Sequence, residues 1–179
     1  MTDALERNGR LELVIGDITA ERVDAIGNAA NAALAGGGGV DGAIHRAAGR
    51  GLMAELRQRH SHGTPTGTAV ATAAYDLQAT WVLHAVGPRW RGGDHGEAEL
   101  LAGAYRSCLS LCDELGATSL ALPAISLGIY GYPLEAGATI AVTTVAAHLD
   151  GDTSLRLVRF VLRRDTYPAF EAALASISS

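Results

Sequence analysis

The sequence predicts an α/β fold with helices on both faces of a mixed sheet, and three observations carry that prediction. Short β-branched or alternating runs, bounded by Gly, Asp or Asn, recur along the chain as strands. In the second half they alternate with helical stretches, the pattern of layered α/β proteins. In the middle, two strand-like runs follow one another without a helix between them, which makes the sheet mixed rather than wholly parallel. Of 179 residues, 48% are hydrophobic and 18% charged, enough apolar surface for one large core and too hydrophobic for a disordered chain. The chain reads as a single domain over 1–179, with its core at about 11–177.

In chain order, strands are expected at Leu11–Ile15, 23–27, 67–72, Trp81–Ala85, 118–122 and 155–162. Helical periodicity marks 40–48, 51–60, Glu97–Leu115, 133–149 and 167–177. Glu97–Leu115 is the clearest of these: Leu100, Leu101, Ala104, Leu111 and Leu115 trace a stripe, and Gly116 follows as a stop. Pro133 and Pro168 suit the first turns of their helices. Residues 60–67 and 87–97, rich in Gly, Pro, His and Thr, read as surface loops.

Composition removes several function classes. Arg supplies all 14 basic residues, and the absence of Lys excludes a phosphate-loop lysine, a Schiff base and any lysine general base. A net charge of -5 disfavours duplex nucleic acid as a partner. Cys108 and Cys112, four apart on one helix face, read as two buried thiols in a reducing compartment. Residues 1–8 are polar and charged, unlike a secretory signal, and the apolar stretch 136–149 is too short to span a bilayer. A cytoplasmic protein with no membrane partner is expected. No His, Cys or carboxylate spacing completes a metal site, His60 and His62 included, so neither metal nor cofactor is expected.

Chemistry concentrates in two glycine-bearing loops. Asn28-Ala29-Ala30-Asn31 follows a strand and precedes Gly36-Gly37-Gly38-Gly39-Val40-Asp41-Gly42, which opens a helix. Four consecutive glycines have a high entropic cost, so a use that needs close backbone approach to a ligand explains them better than a flexible loop. Far along the chain, Ser126-Leu127-Gly128-Ile129-Tyr130-Gly131 runs from another strand into a helix. Two such loops at one sheet edge could grip a diphosphate from opposite sides through backbone N–H groups. Tyr130, set between glycines, either stacks on a sugar or base or covers the core. His45, one helical turn after Asp41, either orients it or packs the helix. His84, inside a strand, reads as an interior residue rather than an acid–base group.

These residues resemble a MacroD-type macrodomain. The resemblance rests on Gly16-Asp17-Ile18-Thr19, Asn28–Asn31, the 36–42 loop running into Ile44–Gly49, the stretch 84–90, and 126–133. It covers about residues 11–150 and implies a three-layer α/β/α fold that binds ADP-ribose. It also implies hydrolysis of O-acetyl-ADP-ribose and removal of mono-ADP-ribose from acidic side chains of proteins. Carried over by position, Asp41 and Asn31 are the catalytic candidates, Asp41 beside the scissile ester and its attacking water, Asn31 on the distal ribose. Asp17 would accept from the adenine amino group with the Ile18 backbone beside it. Gly38, Gly39 and Val40 would hold one side of the diphosphate, and Ser126, Leu127, Gly128, Ile129 and Tyr130 the other. Asn28 belongs with the ligand-side residues, most simply as a brace of its loop. The sequence departs from the family pattern at Gly27, Arg50, Leu127 and 162–165.

Two other readings stand beside the hydrolase. A non-catalytic ADP-ribose reader would use the same cleft but would not need the pair Asn31 and Asp41. A nicotinamide-dependent oxidoreductase would carry its glycine fingerprint after the first strand with an acidic residue about 20 positions on, and here the glycines come after the second run in an unbroken string.

Overall fold

The computed structural model describes residues 5–7 and 9–178. Its strands are β1 (Leu5–Arg7), β2 (Leu11–Ile15), β3 (Ala25–Ala29), β4 (Ala69–Ala73), β5 (Trp81–Ala85), β6 (Ser119–Leu122) and β7 (Leu157–Leu162). They form one sheet in the order β1-β2-β7-β6-β3-β5-β4. The inner run from β2 to β5 is parallel, and the edge strands β1 and β4 are antiparallel to their neighbours. Helices are α1 (Gly39–Ala48), α2 (Arg50–Arg59), α3 (Glu97–Leu115), α4 (Leu134–Asp150) and α5 (Tyr167–Ser178).

The period-two alternation of the strands sorts their side chains into two cores. Leu83, Leu120, Leu122, Val158 and Phe160 face α3, α4 and α5, meeting Tyr105, Leu109, Val142, Val145 and Phe170. Their neighbours Val82, Ala121, Val161 and Ile26 face the opposite way, against Ile44 and Ala48 of α1 and Leu52 of α2. Three layers follow, with the sheet in the middle. Cys108 and Cys112 are buried in the larger core, and burial pushes the Cys108 thiol up to about 12. No helix among the described residues is long and apolar enough to cross a membrane.

Differences from the sequence expectation lie mainly at element ends. β3 begins at Ala25 rather than at 23, because its pairing with β5 runs from Ala25 opposite Trp81 to Ala29 opposite Ala85. β4 likewise starts at Ala69, opposite Ala85. α1 starts one residue early, at Gly39, and Pro133 is the N-cap of α4 rather than a residue of its first turn. β1 was not expected at all: a three-residue edge strand is too short to carry a period. Residues 1–4 and 8 of that lead-in lie outside the described residues. Gly27, a departure from the family pattern, has a packing cause: a Cβ there would sit 2.7 Å from Leu122 Cδ2 on β6.

Candidate functional site

The parallel strands deliver their C-terminal ends to one side of the sheet, where open α/β sheets place ligands. A cavity of about 540 Å³ lies there. Ala30 and Asn31 reach it after β3, Gly87 and Arg89 after β5, the 123–130 segment after β6, and Arg163, Asp165 and Thr166 after β7. Gly37, Gly38, Gly39, Val40 and Asp41 close another wall, so both glycine-bearing loops line the same cavity.

Each loop brings unused backbone donors. α1 has Gly38 as N-cap with no side-chain cap, so the N–H groups of Gly39, Val40 and Asp41 lack intrahelical acceptors. The other loop closes on itself through Gly131 N to Gly128 O at 3.0 Å and Tyr132 N to Ser126 O at 3.0 Å. That leaves the N–H groups of Gly128, Ile129 and Tyr130 without acceptors among the described residues. Ser126 sits in the left-handed region at φ 67°, with its Oγ buried and unpartnered among the described residues. Two rows of free N–H donors, one at a helix N-terminus, make an anion site that needs no lysine.

Asp41 is the buried carboxylate of the cavity, whereas Asp165 on the same wall is exposed. Asp41 lies in the first turn of α1, where the helix dipole favours a negative charge. Its Oδ1 accepts from Asn28 Nδ2 at 2.8 Å and lies 3.3 Å from His45 Nε2. Its Oδ2 would lie 3.4 Å from a Cβ at Gly37, which lines the same cavity. Of the two roles open to His45 in the sequence, orientation of Asp41 is the one this contact favours.

Beneath the carboxylate runs a buried polar chain. Asn28 and His84 are fully buried and stand opposite one another on β3 and β5. Asn28 Nδ2 also reaches His84 Nδ1 at 3.2 Å, while His84 Nε2 meets Thr72 Oγ1 at 2.9 Å. The Thr72 hydroxyl donates to Ala73 O, so its oxygen accepts from His84 Nε2–H, and His84 Nδ1 accepts from the amide. That tautomer is neutral. Burial, then the charges of His45 and His60, push the His84 pKa down to about 3. Asn28, grouped above with ligand-side residues, therefore touches no ligand-accessible space: both its amide hydrogens hold Asp41 and His84. It is a brace of the carboxylate.

The remaining candidates divide by position. Asn31 lines the cavity, and its amide also ties its own loop, donating to Gly36 O at 2.8 Å and accepting from Ala35 N at 3.1 Å. Tyr130 is half-buried at the rim, with the Arg89 guanidinium 4.5 Å from its ring centre. Ile129 is 88% exposed at the loop tip. Leu127 packs its side chain on Gly137 of α4. Asp17 caps a 3-10 turn (Ile18–Ala20), accepting from Thr19 N and Thr19 Oγ1, and these bonds hold its carboxyl below its usual value. It stands outside the cavity wall but next to it, since Gly16 N donates to Leu162 O and Leu162 lines the cavity. Ile18 is buried in the smaller core. Arg89 and Arg163 fall in the stretches 84–90 and 162–165 without a role of their own, and Thr166 was missed: nothing in local sequence separates a rim residue on an irregular loop from any other exposed one.

Residues 27–141 match the family model described as Macro domain. The chain belongs to that family. The O-acetyl-ADP-ribose deacetylase of Klebsiella pneumoniae is 50% identical over 168 residues, covering 92% of this chain and 96% of the relative. A protein of the same name from Salmonella gallinarum is 56% identical over 139 residues, 76% of this chain and 78% of its own length. Among solved structures, the Oceanobacillus iheyensis macrodomain with ADP superposes with a TM-score of 0.89 at 37% identity, covering 99% of this chain and 96% of that one. The Trypanosoma brucei macrodomain in complex with ADP-ribose gives a TM-score of 0.84 at 38% identity, over 92% of this chain and 69% of the other.

Proposed function

We propose that this macrodomain binds ADP-ribose in the cavity of about 540 Å³ and hydrolyses the ester of O-acetyl-ADP-ribose. The observation that carries the reading is the convergence of two rows of free N–H donors and one braced carboxylate on a single cavity. Relatives at about half identity over most of the chain carry the name of that deacetylase, and neighbours at 37–38% identity bind ADP or ADP-ribose. The donors of the 38–40 and 126–130 loops take the diphosphate. Asn31 takes the distal ribose hydroxyls, and Asp17 with the Ile18 backbone takes adenine. Asp41 holds, and draws a proton from, the water that adds to the acyl carbonyl. The ribose oxygen leaves with a proton, giving acetate and ADP-ribose. Fixing ribose and water in reacting geometry contributes as much as proton transfer does. The same ester chemistry extends to mono-ADP-ribose carried on acidic side chains of proteins.

The test pairs ADP-ribose titration calorimetry with turnover of O-acetyl-ADP-ribose. Binding with turnover is expected, and Asp41→Ala should lower turnover about 10²–10⁴-fold while changing affinity far less. Binding without turnover would make the protein a reader. Unchanged turnover in Asp41→Ala would remove that residue from the mechanism.

A further inference from the structure

A second cavity, of about 570 Å³, adjoins the first. The two share Asn31, Gly87, Arg89 and Tyr130, so the seam between them lies beside the residue proposed to hold the distal ribose. An acyl group esterified to that ribose has this seam as an exit. Acetyl would occupy a small fraction of a space as large as the one proposed for the whole of ADP-ribose.

The walls have a definite chemistry. Val86, Pro88 and Leu100 supply apolar surface and Thr66 a hydroxyl. Glu97, the one carboxylate on the wall, is buried and already saturated. Its Oε2 accepts from Arg91 N at 3.1 Å and Gly93 N at 2.8 Å, and its Oε1 from His95 N. It therefore pins the 91–95 turn and offers nothing to a ligand. Against it stand two exposed guanidiniums. Arg89 lies over the Tyr130 ring, and the Arg91 side chain makes no ion pair or hydrogen bond among the described residues. In a chain of net charge -5, an unpaired pair of arginines at the mouth of a cavity is a local reversal of sign.

We propose that this second cavity is an acceptor-side subsite, which takes the acidic polypeptide segment flanking an ADP-ribosylated glutamate or aspartate. The proposal rests on the reading of the first cavity as the ADP-ribose site. Volume selects a polypeptide over a small acyl group, and Arg91 selects acidic flanking residues, since Arg89 is held over the Tyr130 ring. Arg91 is the specificity residue: it lines the second cavity alone.

The experiment uses two peptides, each with a single glutamate esterified to ADP-ribose, flanked by Asp and Glu in one and by Asn and Gln in the other. The wild-type protein should favour the acidic peptide in kcat/KM by roughly fivefold, the scale of one solvent-exposed ion pair. Rising salt should erode that ratio. Arg91→Gln should bring the ratio to about one, and Arg91→Glu should invert it. Melting temperatures of both variants report folding, and O-acetyl-ADP-ribose turnover and ADP-ribose affinity are measured in parallel. A wild-type ratio near one, a ratio indifferent to Arg91→Glu, or cleavage of O-acetyl-ADP-ribose with neither peptide cleaved overturns the subsite while leaving the deacetylase. Failure to bind ADP-ribose or to cleave its acetyl ester instead overturns the reading on which the subsite rests.

Discussion

Replacing His84 isolates the contribution of the buried chain beneath Asp41, and its size follows from proton linkage. The imidazole is fully buried and neutral, with a pKa near 3 set first by burial and then by His45 and His60. In the unfolded chain it titrates near its ordinary value of 6.5. Between these values the unfolded state takes up a proton that the folded state refuses, so the contribution is complete above about pH 6.5 and is lost as pH falls toward 3. Each unit corresponds to about 1.4 kcal/mol, so acidification from pH 6.5 to 5 should cost about 2 kcal/mol through this residue alone. His84→Gln retains an acceptor for Asn28 and a donor for Thr72 but no titration. Urea unfolding, followed by the fluorescence of Trp81 and Trp90, should show the wild type losing about 2 kcal/mol more than the variant over that interval. Carboxylates that titrate in both proteins cancel in the difference. Equal pH slopes would refute the argument. An NMR titration placing the folded wild-type imidazole near its ordinary value would refute it too, even if the variant failed to fold.

Two further outcomes follow from the loops around the site. A Cβ at Gly87 would overlap Ser126 Oγ and Ile125 Cγ2, so Gly87→Ala should destabilise by about 1–3 kcal/mol and weaken ADP-ribose binding by shifting the 126–130 loop. Melting with and without the ligand measures both effects, and a neutral Gly87→Ala would mean that the loop yields freely. At Glu97, burial works to raise the pKa, but the amides of Gly93, Arg91 and His95 prevail and hold it at about 2. Its hold on the turn is thus complete above the ordinary value of 4.5 and fades as pH falls toward 2. Glu97→Gln should accelerate amide hydrogen exchange at 91, 93 and 95 near neutral pH, and unchanged protection would detach the turn from this carboxylate.

Fold class was legible because period-two runs and helical stripes are local signals. Glu97–Leu115 and Trp81–Ala85 even begin and end as read, since in both the pattern itself stops at the boundary. The start of β3 was not legible, because its pairing with β5 decides it from across the sheet. β1 was invisible for want of length. The lack of Lys pointed to a ligand held by backbone donors, and the two loops that could supply them do line one cavity. Arg91 carried no signal, because its meaning comes from the cavity it borders rather than from its neighbours in sequence.

What local reading could not reach is the logic of the carboxylate. Asp41 and His45 are neighbours on a helix, so their meeting was within reach of a one-turn spacing. Asn28, His84 and Thr72 are not local to one another: 56 residues separate Asn28 from His84, and 12 separate His84 from Thr72. Their alignment is created by parallel register between β3 and β5 and antiparallel register between β5 and β4. A single-residue slip of β5 would turn His84 to the other face of the sheet and leave the Asn28 amide facing an apolar residue. The carboxylate would then lose the support that fixes its brace, since a free amide can rotate and an anchored one cannot. In this fold the apolar alternation that builds the two cores is also what aligns the polar chain. Changes that loosen the pairing of β5 should therefore disturb Asp41 before they unfold the protein.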